Sequence, residues 1–74
     1  MVIYKIVYAG RKEEQFKLPD DGLFQMWKSY KQQPVSGEEV GFYESADGKY
    51  KKGVDFEQVL SMEVRPERDL AEYV

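Results

Sequence analysis

The run Val2-Ile3-Tyr4-Lys5-Ile6-Val7-Tyr8 constrains the fold more than any other part of the chain. Every residue in it except Lys5 is β-branched or aromatic. Val2, Tyr4, Ile6 and Tyr8 point one way, and Ile3, Lys5 and Val7 the other. Such side chains suit a pleated surface, so the run predicts a strand. Two largely apolar faces predict a central strand, covered at least in part on each side. Its neighbours must come from a chain of 74 residues, which has room for one domain. A chain this short buries only about 60 % of the surface its unfolded form exposes, so the core is modest.

The rest of the chain supplies the partners. Ala9-Gly10-Arg11-Lys12 is a turn signal, and from Glu13 to Leu18 the alternation resumes, with Phe16 and Leu18 on one face and Gln15 and Lys17 on the other. This predicts an N-terminal hairpin that stops at Pro19, which has no N–H for a ladder. Asp20-Asp21-Gly22 opens a helix over about 22–33, where either Asp can cap the free N–H groups. Leu23, Met26, Trp27 and Tyr30 form its apolar stripe, widened by Phe24, and Pro34 ends it. After a polar connection over 35–39, Val40 to Ser45 reads as a third strand, with Val40 and Phe42 opposite Tyr43. Asp47-Gly48 between two strand-like runs predicts a type I′ hairpin that pairs Glu44 with Lys51 and Tyr43 with Lys52. Residues 54–59 read equally as a helical turn or a continued strand. Leu60, Met62 and Val64 alternate with Ser61, Glu63 and Arg65 as the last strand. Pro66 then opens a tail over 67–74 with the pattern of a short docked helix.

These elements predict a single α+β domain over residues 1–74, with its core in about 1–65 and a tail or short helix over 66–74. One helix lies across a small mixed or antiparallel sheet. The ββαβββ order is similar to the β-grasp (ubiquitin-like) arrangement of an N-terminal hairpin, a helix and later strands. The Tyr73-Val74 end lacks the Gly-Gly of ubiquitin and the sulfur carriers, so conjugation chemistry is not implied. A ββαββ sheet with a C-terminal helix remains the alternative.

Composition narrows the chemistry. The chain has no Cys and no His, which removes disulfides, thiolate zinc sites and the commonest general base at neutral pH. Glu13-Glu14, Asp20-Asp21 and Glu38-Glu39 are adjacent pairs, whose side chains diverge on a strand or a helix and do not form a catalytic dyad. Asp20, Asp21, Asp47 and Asp55 lack the spacing of a calcium loop, and the six glycines form no phosphate-binding pattern. The expectation is a protein that is not an enzyme and takes no cofactor and no metal. The N-terminal apolar run is too short for a signal peptide, and no stretch approaches a membrane span, so a cytoplasmic protein with no membrane partner is expected.

Two surfaces are candidates for binding. Tyr43 and Tyr50, near the hairpin tip, form a contact patch if exposed. From Asp55 onward six carboxylates stand against two arginines, a local charge of −4. Glu63, Glu67, Asp69 and Glu72 can present acids to a basic or nucleic-acid-binding protein. The sequence thus favours a small acidic protein-binding module, an inhibitor or adaptor of the kind common in phage and mobile elements. The alternatives are a nucleic-acid-binding domain that uses Lys49, Tyr50, Lys51 and Lys52, and a homodimer that pairs through an open sheet edge. The formal charge of −3 makes nucleic acid the weaker of the partner readings.

Overall fold

A computed structural model describes residues 1–67. Among them are five strands and one α-helix: β1 (Val2–Tyr8), β2 (Lys12–Leu18), α1 (Gly22–Gln32), β3 (Val40–Glu44), β4 (Lys51–Asp55), a 3₁₀ turn (Phe56–Gln58) and β5 (Val59–Pro66). The chain is an α+β domain, but its strands do not form the single sheet expected from their order. They divide into two antiparallel sheets, β2-β1-β5 and β3-β4. The tail helix expected over 67–74 falls almost wholly outside the described residues.

β1 is central, between β2 and β5, and its two faces are covered unequally among the described residues. Tyr4 and Ile6 are fully buried. On the other face Ile3, Lys5 and Val7 are half-buried, among exposed neighbours such as Lys17 opposite Ile3 and Glu63 opposite Lys5. Among the described residues that face is lined by long polar and charged side chains such as Gln15, Glu63 and Arg65, whose stems cover apolar surface while their heads stay in water.

The covered face carries the core. Tyr4, Ile6, Leu18 and Met62 from the larger sheet meet Leu23 and Trp27 of α1, with Tyr43, Val54 and Phe56 from the smaller sheet and its 3₁₀ turn. Trp27 and the half-buried Tyr8 take the core side expected of them. At the helix start the Asp20 carboxylate accepts the Gly22 N–H at 2.8 Å, while Asp21 binds Gln25 Nε2 at 3.0 Å instead of capping the backbone.

Two local expectations change, and the reading left open over 54–59 is decided. Gly48 N–H closes the β3-β4 turn onto Ser45 C=O at 2.9 Å, and the positive φ (73°) falls on Gly48 and not on Asp47. A type I′ turn needs positive φ at both central residues, so this is a different turn. Its register still pairs Glu44 with Lys51 and Tyr43 with Lys52. Residues 54–59 divide between strand and helical turn: β4 continues through Asp55, whose carboxylate accepts the Glu57 N–H at 3.1 Å and starts the 3₁₀ turn. Leu60 leaves the core pattern. Val7 pairs with Ser61 and Tyr8 with Val59, so Leu60 is the extra residue of a bulge and stands 62 % exposed.

Candidate functional site: an apolar groove between the helix and the third strand

The period of two along β3 defines two side-chain sets without saying which faces inward. Gly41 and Tyr43 turn inward; Val40 and Phe42 turn out and are 65 % and 60 % exposed. Tyr43, expected as a surface contact, is instead a core residue, 5 % exposed. Its ring sits against Gly22 at the start of α1, where a Cβ would lie 3.2 Å from Tyr43 Cε2. Burial, then the neighbouring Asp20 carboxylate, pushes its phenol above the ordinary range. Asp20 lies beside the hydroxyl, yet Tyr43 Oη makes no hydrogen bond of acceptable geometry among the described residues. Tyr50 does reach the surface.

Inward-facing Gly41 shapes the surface nearby. The Phe56 ring occupies the space where a Gly41 side chain would be, and Tyr30 of α1 packs on that ring at 5.6 Å between centroids. These contacts floor a groove of about 610 Å³ between α1 and β3. Met26 and Tyr30 line its helix side, and Val40, Gly41 and Phe42 its strand side. Val35, 50 % exposed, extends the apolar surface. Contiguous exposed apolar surface on a small domain marks an interaction site more often than isolated apolar residues do. Sequence reasoning missed this site. The available signal was the outward pair Val40 and Phe42, whose inward or outward sense the alternation alone left open.

The basic cluster is dispersed by the fold. Lys52 Nζ donates to Glu14 Oε2 at 2.6 Å and lies 4.7 Å from the Phe16 ring centroid; Lys51 faces Glu44 at 3.7 Å. Tyr8 Oη donates to the other Glu14 oxygen at 2.7 Å. The Lys52 hydrogen bond holds the Glu14 carboxyl below its ordinary range, and burial raises the Tyr8 phenol. A raised phenol stays protonated at neutral pH and donates to Glu14, so this trio clasps the two sheets together. Among the described residues Lys49 alone of the three lysines has no carboxylate partner.

Two of the four acidic candidates, Glu63 and Glu67, are among the described residues. Glu63 lies on the open face of β5, Glu67 pairs with Lys17, and Asp69 and Glu72 lie outside the described residues. Among the described residues no three carboxylates are grouped to hold a metal, and no helix is long and apolar enough to cross a membrane. No protein-family model matches the chain, and no curated protein and no solved structure is significantly similar to it.

Proposed function

We propose that this protein is a non-catalytic binding module that engages another protein through the apolar surface between α1 and β3. The observation that carries the reading is the exposure of Val40 and Phe42 beside a groove floored by Phe56. An inhibitor or adaptor role suits a domain that offers an exposed apolar surface of this kind. The acidic side chains act here as a surrounding field that favours a basic partner, and Tyr50 lies at the periphery. Pairing of Lys51 and Lys52 with carboxylates leaves nucleic acid the less favoured ligand.

Affinity capture of the tagged chain from its host's lysate, followed by mass spectrometry, tests this. Val40→Asp with Phe42→Asp is compared with Lys49→Ala. A protein recovered by the parent chain and by Lys49→Ala, and lost with the double variant, supports the reading. A partner retained by the double variant and lost with Lys49→Ala moves the surface to the hairpin tip.

A further inference from the structure

We propose that the free edge of β3 is a strand-addition site. An extended segment of a partner protein, apolar at alternate positions and carrying a lysine or arginine, lies between β3 and α1 and hydrogen-bonds to the main chain of Val40 and Phe42. This deepens the binding-module reading and rests on it.

The backbone argument comes first. Ser45 N–H donates to Tyr50 C=O at 2.9 Å, and Phe56 N–H donates to Glu39 C=O at 2.7 Å. Hydrogen-bonded pairs alternate along an antiparallel ladder. Glu39, Gly41, Tyr43 and Ser45 therefore turn their main-chain groups toward β4, and Val40 and Phe42 turn theirs away from it. Among the described residues no second strand pairs with that side, and no turn or loop hydrogen bond reaches it. Three consecutive residues, Val40, Gly41 and Phe42, border the groove. A strand seen on one face shows alternate residues only, so the groove runs along the edge of β3, with α1 as its far wall. Extended peptides that add to a sheet edge use this arrangement: main-chain bonds supply affinity and alternate side chains supply specificity.

The other edges described here are protected against such pairing. β2 is rich in Lys and Glu, β4 opens with Lys51 and Lys52, and β5 has the Leu60 bulge, Glu63, Arg65 and Pro66. Charges, bulges and prolines are the usual means of blunting an edge. β3, Val40-Gly41-Phe42-Tyr43-Glu44, has a single charge, at its end.

Charge decides the partner. Among the described residues the groove lining includes Glu38 and no Lys or Arg. Glu57, Glu39 and Asp55 lie close enough to Tyr30, on the helix wall, to reinforce the effect of burial on its phenol. A second copy is a poor occupant. Antiparallel pairing of β3 with itself about Phe42 would bring Glu44 of each copy to the Glu38-Glu39 end of the other, between chains that each carry −3. A basic segment meets no such repulsion.

The test selects a displayed library of random peptides on the full chain and synthesises the enriched sequences. Enriched peptides should alternate apolar residues and contain Lys or Arg. On binding they should slow hydrogen exchange at the Val40 and Phe42 amides. N-methylation of alternate peptide amides, which removes about two inter-strand hydrogen bonds, should weaken binding roughly tenfold or more, and changing the basic residue to Glu should also weaken it. A peptide whose affinity survives N-methylation, or that leaves both amides exchanging freely, overturns strand addition but leaves the apolar-surface reading standing. Failure to enrich any peptide counts against both. Val40 and Phe42 amides already protected in a dimer, by light scattering, would assign the edge to a second copy.

Discussion

Phe56 occupies the space that any side chain at residue 41 would need: a Cβ built on Gly41 would lie 2.0 Å from Phe56 Cζ. Contact this close is with a ring that is itself 5 % exposed and packed on Tyr30, so relief requires Phe56 to leave its place. Gly41→Ala is expected to destabilise the domain by roughly 2–3 kcal/mol through overpacking, lowering Tm by roughly 10–20 °C in a domain of this size. Combining it with Phe56→Leu should cost less than the sum of the two single changes. Thermal unfolding followed by circular dichroism reads both; strict additivity would show that the two residues do not compete for one space.

The clasp between the sheets gives a pH dependence of defined sign. Glu14 has its folded pKa lowered, chiefly by the Lys52 hydrogen bond. The stability it contributes is therefore complete above its ordinary value of 4.5 and is lost as pH falls from there through the lowered folded value. Since both side chains remain partly in solvent, the loss in Glu14→Gln should be about 1 kcal/mol at neutral pH. The variant should also have a flatter stability profile below pH 4.5. Urea unfolding at a series of pH values checks this; an unchanged acid limb would remove Glu14 from the account.

Tyr43 and Tyr50, a pair in the sequence, should behave oppositely. Tyr43→Ala opens the core against α1 and should abolish cooperative unfolding or lower Tm steeply. Tyr43→Phe removes a buried hydroxyl that makes no hydrogen bond among the described residues and should leave Tm unchanged or raise it. Tyr50→Ala, at an exposed position, should change stability by no more than about 0.5 kcal/mol. A large loss in Tyr43→Phe would reveal a partner for that hydroxyl.

The β1-β2 turn places two consecutive residues at positive φ, Gly10 at 84° and Arg11 at 63°. A Cβ at Gly10 would meet nothing within 4 Å, so Gly10→Ala tests backbone conformation alone and should cost about 1 kcal/mol. Arg11→Gly relieves the same kind of strain but loosens the unfolded chain, and should fall between neutral and about 1 kcal/mol stabilising. Chemical denaturation separates them, and equal destabilisation by both would contradict the turn geometry.

Local chemistry made much of this molecule legible in the sequence. The β-branched and aromatic alternation marks β1. Pro19 and Pro34 bracket α1, and the apolar stripe on α1 supplies Leu23 and Trp27 to the core. The Glu44–Lys51 register survives a turn of another type, because four loop residues leave the same strand partners opposite as two do. Each of these depends on residues near one another in the chain. The strands' division into two sheets, the burial of Tyr43, the exposure of Val40 and Phe42, and the capture of Lys52 by Glu14 depend on which surfaces meet across the fold. Alternation sorts side chains into two faces and is silent on which face finds a neighbour. That was decided by long-range packing: Gly22 admits the Tyr43 ring and Gly41 admits the Phe56 ring, and together they set Tyr43 inward and leave Val40 and Phe42 on the exposed face of β3.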